Sequence, residues 1–260
     1  MGSEFYNQQL AKWGEWWHGN FDTWEDAEKE CVGYDQQSIA IQVLDAVLAS
    51  KDKPNVYERD GCVIQGFPTY VNPLIRLINS IDGVVNVLDF GGSLGSTYFP
   101  IRPHLTTDTL RWYVVEQGVF VKLGQKHLQT FELRFHDNIE YVLDNYGINV
   151  AIFSSSLPYV KNPYGILQQT VSHENQIPHI YIDRHSVVLY GDNDILTIQI
   201  VPEYIYEAIY PCWFFGENKM NKFMQQYNLS LMEEFMSLGD TSCTGPYIKN
   251  SAYKGYIYGR

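Results

Sequence analysis

Basic residues are scarce in this chain. Its 18 Lys and Arg stand against 30 Asp and Glu, a formal charge of −12. A surface of that sign repels a phosphate backbone at long range, so nucleic acid is excluded as an expected partner. Apolar runs long enough to cross a bilayer are missing, as is a signal-peptide pattern, so neither a membrane partner nor a secreted form is expected. Cysteine pairs are missing too. Cys31, Cys62, Cys212 and Cys243 form no CxxC and no Cys/His cluster with zinc-like spacing. That pattern predicts no metal site and points to reduced thiols in a cytoplasmic protein. Internal repeats and low-complexity linkers are absent. Tyrosine, by contrast, is abundant, with 20 copies. An apolar ring with a polar tip suits partly wet clefts and interfaces.

At 260 residues the chain fits one α/β domain with a short extension. Residues 1–5 read as a cloning scar, 6–82 as an N-terminal helical cap and 83–260 as the main domain. In the cap, Trp13, Trp16, Trp17 and Trp24 lie near Glu25, Asp26 and Glu28, and Thr23 reads as the N-cap of a short helix. Residues 37–50 have apolar positions at helical spacing, and 72–81 open a second helix with Pro73 in its first turn.

From residue 84 strands and helices alternate. "VVNVLDF", "LRWYVVEQ", "TFELRF", "NVAIFSSS" and "HIYIDRH" read as strands. The helical segments between them include "GVFVKLGQKHL", "NIEYVLDNY" and "PYGILQQTVSH". Near-continuous apolar strands separated by helices predict an α/β fold with a Rossmann-like, doubly wound, mostly parallel sheet of about seven strands. In the tail, 195–202 read as a late strand, "ENKMNKFMQQY" as a helix, and "AYKGYIYGR" as an edge strand.

The first of these strands runs into "NVLDFGGSLGSTYF", where Asp89 precedes Gly91, Gly92 and Gly95. Ligands of such sheets sit at the carboxyl ends of the strands, and glycine permits close backbone approach there. Glu116 ends the second strand 27 residues after Asp89 (116 − 89). An acid at that place accepts the hydrogens of a ribose diol. D-F-G-G-S-L-G departs from the glycine spacing that a dinucleotide pyrophosphate favours. An acid just before the turn suits S-adenosyl-L-methionine instead, whose sulfonium and ammonium are cationic.

With "WEDAEKECVGYD", "YERD", "VLDFGGSLGSTYF", "LRWYVVEQ", "LRFHDNI", "FSSSLPYV", "YIDRH" and "YPCWFF", the chain resembles the class I S-adenosylmethionine-dependent methyltransferases from about Trp13 to Tyr227. It is similar, more narrowly, to a bacterial methyltransferase family associated with surface-polysaccharide (capsule) genes. The resemblance implies that Asp89, Gly91, Gly92 and Gly95 serve the methionine end of the cofactor and Glu116 the ribose. It implies Gln117, Phe120, His136 and Asp137 around the adenine, and Ser154, Ser155 and Ser156 facing the methyl. Many class I enzymes carry an acid or Asn in that last segment, whereas this chain has Ser-Ser-Ser-Leu-Pro-Tyr.

For chemistry, Asp183, Arg184 and His185 fall at the end of the fifth strand. Arg184 suits an anionic acceptor, and His185 or His136 suits the role of base near neutral pH. Arg59, Tyr206, Tyr210 and Trp213 are further candidates for the acceptor pocket. The expected activity is O-methylation of a small acceptor, sugar-linked or anionic, such as a phosphorylated or phosphoramidate precursor, with a homo-oligomer left open. Two rivals stand beside it, an NAD(P)-dependent oxidoreductase or epimerase on the same sheet and a non-catalytic binding module.

Overall fold

The alternation after residue 84 closes into one twisted sheet in the computed structural model, which describes residues 2–31, 36–107, 109–174, 176–203, 205, 207–237, 248 and 250–260. In chain order the elements are α1 (Gly2–Trp13), β1 (Trp16–Phe21), α2 (Trp24–Glu28), α3 (Gln36–Ser50), β2 (Val56–Arg59), β3 (Cys62–Gln65) and α4 (Asn72–Asn79). The central run follows as β4 (Val85–Phe90), α5 (Tyr98–Ile101), β5 (Leu110–Val115), α6 (Gly118–His127), β6 (Leu133–His136), α7 (Ile139–Asn145), β7 (Val150–Ser154), α8 (Pro163–Val171) and β8 (His179–Val188). The tail holds β9 (Ile195–Val201), β10 (Ala208–Gly216), α9 (Glu217–Gln226), β11 (Ser230–Met236) and β12 (Ser251–Gly259).

Strands β6, β5, β4, β7 and β8 pair in parallel in that order. Residue alternation divides their side chains between two cores. Val87, Trp112, Phe135 and Ile152 pack on one face with residues of α3, α4 and α6. Leu88, Tyr113, Ala151 and Phe153 pack on the other with residues of α7, α8 and α9. Side-chain caps set three helix starts, at Thr23 as the sequence predicts and at Asn138 and Asn162 besides. Thr23, Asn138 and Asn162 each accept a backbone N–H three residues on, from Asp26, Tyr141 and Gly165.

The tail departs from expectation. β12 pairs antiparallel with both β8 and β11, so it lies inside the sheet and β11 forms the edge. The aromatic alternation of β12 serves two buried faces, Tyr256 and Tyr258 in one core and Ile257 in the other. β11 exposes Leu231, Met232 and Met236, as an edge does.

The seven-strand sheet is thus extended to ten by an antiparallel annex of β1, β9 and β10. β10 joins β8 only through Phe215 opposite Val187 and Gly216 opposite Val188. The N-terminal segment is therefore not purely helical. β1 belongs to this annex, and β2 and β3 form a separate hairpin. Its tryptophans pack there, with Trp17 edge-on to Phe214 at 5.8 Å and Trp24 stacked on Trp213 at 6.4 Å.

One distortion positions the site. Along β8 and β12, Lys254 faces His185 and Tyr256 faces Ile182, so Asp183 and Arg184 together stand opposite Gly255 alone. This is a β-bulge, with Arg184 at φ +48. The Arg184 N–H donates to Asp183 Oδ1 at 2.5 Å and to Ser237 Oγ at 3.0 Å, and the Ser237 hydroxyl donates to the same Asp183 oxygen at 2.8 Å. No helix among the described residues is long and apolar enough to cross a membrane.

Candidate active site

A cleft of about 700 Å³ opens at the carboxyl ends of the parallel strands. Its floor includes Phe90 to Ser93 after β4, Glu116 and Gln117 after β5, Asp137 after β6, and Ser154 to Ser156 at the end of β7. Arg184 enters from the bulge in β8. The β2–β3 hairpin brings Glu58 and Arg59, with Tyr70 beside them, and the annex supplies Trp16, Trp17, Gln199 and Tyr210.

The loop after β4 requires glycine at Gly91. Its φ is +70, and a Cβ there would lie 2.5 Å from the Ser156 Cβ, so a side chain would push the β4 and β7 ends apart. At Gly92 a Cβ would lie 2.5 Å from the Asp89 carboxyl. Gly92 therefore makes room for the acid beneath the loop.

That packing corrects the role expected of Asp89. Its carboxylate is fully buried and is not part of the cleft lining. Asp89 Oδ2 accepts from the Trp112 indole at 3.0 Å, while Oδ1 has no hydrogen-bond partner. Burial pushes this carboxyl up to about 7, with the nearby Glu116 adding in the same direction and the Trp112 hydrogen bond opposing it. Asp89 supports the loop from below. Glu116 does face the cleft, and one of its oxygens accepts the Gln117 N–H at 2.6 Å. Burial raises its pKa, opposed by backbone N–H groups of Gln117 and Ser93.

Gly91, Gly92, Gln117, Phe120, Asp137, Ser154 and Ser155 all line the cleft, as do Arg59, Arg184 and Tyr210. Ser156 lines it too, with a buried hydroxyl that has no partner. The Arg184 guanidinium donates to Ser154 Oγ at 3.3 Å.

Other expected members are elsewhere. Gly95 sits under the loop, where a Cβ would come within 3.0 Å of the Phe99 ring. Asp183 is buried behind the bulge and takes the Arg184 and Ser237 hydrogen bonds, so its role is to hold the backbone. His185 follows the bulge with its ring turned away from the cleft, stacked on Phe215 at 4.2 Å and fully enclosed. Burial pulls that imidazole down to about 3, and its enclosed position outside the lining keeps it from any acceptor in the cleft. His136 packs beside Tyr141 at 5.4 Å and Tyr146 at 5.8 Å, outside the cleft lining. Trp213 turns into the annex, its indole donating to Val160 O at 3.2 Å. Tyr206 lies outside the described residues.

Sequence reasoning missed Tyr70, Trp16, Trp17, Tyr159 and Gln199 as cleft residues. Only Trp16 and Trp17 carry a local signal, as a Trp-Trp pair in a charged segment. Among the described residues no group of three or more His, Cys, Asp or Glu is arranged to hold a metal ion.

No protein-family model matches the chain, and no curated protein sequence matches it. Solved structures do. The [4+2]-cyclase SpnF aligns with a TM-score of 0.52 at 11% identity, over 86% of this chain and 94% of that one. An S-adenosylmethionine-dependent methyltransferase from Clostridium acetobutylicum aligns at 0.49 with 11% identity, over 74% and 90%. The 1,6-didemethyltoxoflavin-N1-methyltransferase of Burkholderia thailandensis aligns at 0.45 with 15% identity, over 74% and 79%. The chain shares with that cyclase a mixed α/β fold built on a large central sheet with a parallel core. Identity this low speaks to the fold alone, and a cyclase among these structures shows that the fold does not dictate one reaction.

Proposed function

We propose that the cleft binds S-adenosylmethionine and that the protein methylates a small acceptor. The observation that carries this reading is one shared lining. The tight loop at Gly91 and Gly92, the Glu116 carboxylate and the unpartnered Ser156 hydroxyl all border the same cavity. A nucleoside with a cationic tail fits that lining. Glu116 accepts the ribose hydroxyls, Gln117, Phe120 and Asp137 border the base, and the loop backbone after β4 takes the amino-acid end.

A bound donor would supply an activated methyl group on a positively charged sulfur, with the neutral thioether as its leaving group. The protein's part is alignment and charge. Ser154 to Ser156 border the transfer path, and the annex aromatics keep water from the acceptor side. We read the attacked atom as oxygen. No histidine lines the cleft among the described residues. Glu58 lines the cleft with a carboxyl pushed up by burial, and we read it as the group that takes a hydroxyl proton. A surface-polysaccharide precursor as acceptor rests on the sequence resemblance alone.

Calorimetric titration with S-adenosylhomocysteine and with NADH tests the reading. Saturable binding of the first and none of the second is expected. Binding of NADH with no response to S-adenosylhomocysteine overturns it.

A further inference from the structure

The cleft has two unlike walls. Toward the hairpin and the parallel strands its charges are matched. Arg59 meets Asp60 at 3.4 Å, and Arg184 interacts electrostatically with Glu58, Asp89 and Asp183. Glu116 and Asp137 add two further acids to the lining, and among the described residues no lysine or histidine adds a cation. An anionic acceptor would meet more acids than bases there, so the lining favours a neutral one.

The annex side carries no charged side chain among the described residues of the lining. β1 supplies Trp16 and Trp17, β9 supplies Gln199 and Val201, and β10 supplies Tyr210, with Tyr159 beside them. The Trp16 ring stacks on Trp17 at 5.4 Å, and Tyr210 stands edge-on to Tyr159 at 5.1 Å. Trp17 is buried, whereas Trp16, Tyr159 and Tyr210 border the cleft while only partly buried. Trp16 holds its place at φ +77, a costly conformation for a bulky residue.

This wall adjoins the serines that border the transfer path. The Tyr159 N–H donates to Ser156 O at 3.2 Å, so the aromatic surface begins one turn beyond the end of β7. Its polar groups are few. Apart from tyrosine hydroxyls and indole N–H groups, Gln199 is its one polar side chain among the described residues. Gln199 Oε1 already accepts from the Tyr159 hydroxyl at 3.0 Å. A sugar ring laid on this wall would leave hydroxyls without partners, a cost that a flat apolar ring avoids.

We infer that the acceptor is a neutral, planar aromatic hydroxyl compound whose ring lies against Trp16 and Tyr210. The inference rests on the methyl-transfer reading of this cleft and names its acceptor class. Stacked and edge-on contacts reward a flat ring beyond the area it buries. A phenol also suits Glu58 as the proton-taking group, because it gives up its proton far more readily than a sugar alcohol does.

Matched probes test it. 2-Naphthol is titrated by calorimetry against its saturated analogue decahydro-2-naphthol, methyl glucoside and 2-naphthoate, with and without saturating S-adenosylhomocysteine. 2-Naphthol is expected to bind about fivefold or more tightly than each of the other three. Tyr210→Leu and Trp16→Leu are each expected to weaken 2-naphthol about fivefold while leaving S-adenosylhomocysteine affinity within about twofold. Tyr210 has no left-handed backbone, so its variant keeps the test informative if Trp16→Leu disturbs β1. Binding of the saturated analogue within about twofold of 2-naphthol, tighter binding of the glucoside or of naphthoate, or 2-naphthol binding unchanged in Tyr210→Leu overturns the inference. Failure of S-adenosylhomocysteine to bind the unsubstituted protein overturns the donor reading instead, and the titrations without it still report on the aromatic wall.

Discussion

Arg184 Nη2 donates to Ser154 Oγ across 3.3 Å and so ties the bulge in β8 to the end of its parallel neighbour β7 at the floor of the cleft. The contact depends on a two-against-one mismatch with Gly255 and on a hydroxyl brought from the end of β11. A local defect in an otherwise regular sheet thus brings Arg184 into the cleft.

Ser237→Ala tests that support. The substitution removes an acceptor of the Arg184 N–H and a donor to the buried Asp183 carboxylate. A loss of roughly 2 kcal/mol is expected in urea unfolding, since a buried group left without its partner bears its full desolvation cost. Unchanged stability would show that the bulge does not need this hydroxyl.

Gly91→Ala places a methyl group at a left-handed position and against Ser156. The expected cost is roughly 2–4 kcal/mol, strain and overpacking together, with weakened S-adenosylhomocysteine binding. Thermal unfolding and calorimetry on the same preparation read both.

Glu116→Gln and Asp89→Asn separate two carboxylates that look equivalent in the sequence. Glu116 lines the cleft, so its variant is expected to bind S-adenosylhomocysteine about tenfold more weakly with little change in stability. Asp89 lies beneath the loop, so Asp89→Asn is expected to change affinity by less than about threefold. The reverse order of effects would invalidate the assignment.

Asp89 also sets a pH dependence. Burial holds its carboxyl up to about 7 in the folded protein, above the value of an exposed aspartate. The folded state keeps a proton that the unfolded chain has lost, so this group's contribution is fully present in acid and declines as pH rises to about 7. Relative to the unsubstituted protein, Asp89→Asn is therefore expected to gain stability as pH rises from about 4, the ordinary aspartate value, to about 7, and to hold that gain above it. Urea midpoints across this range measure the difference.

His185 acts with the opposite sign. Its imidazole is held down to about 3, so the folded state stays neutral while the unfolded chain takes up a proton. Its contribution is present above the ordinary histidine pKa and is lost as pH falls from there toward 3. His185→Phe keeps the stack on Phe215 and removes the titration, so acid unfolding is expected to shift to lower pH. An unshifted acid transition would show that the ring is not enclosed as described.

Much of the scaffold was legible because its signals are local. The apolar runs of β4, β5 and β7, the cap at Thr23, and the acid-glycine turn are all read from neighbouring residues. Glu116 was legible as well, since a strand end in such a sheet faces the ligand cleft. The candidate bases were not. Whether His185 faces solvent, cleft or core turns on one extra residue in β8, which no periodicity reports.

The amino-acid sequence by itself determined the order of strands and helices, the glycine requirement after β4 and the burial of the parallel strands, because period and backbone preference act over a few residues. Tertiary structure alone decided that β12 lies inside the sheet, that β1, β9 and β10 wall the cleft, and that Arg184 enters it while Asp183 and His185 do not. Those choices depend on pairings between distant segments, where burial and hydrogen bonding of whole strands outweigh any local preference.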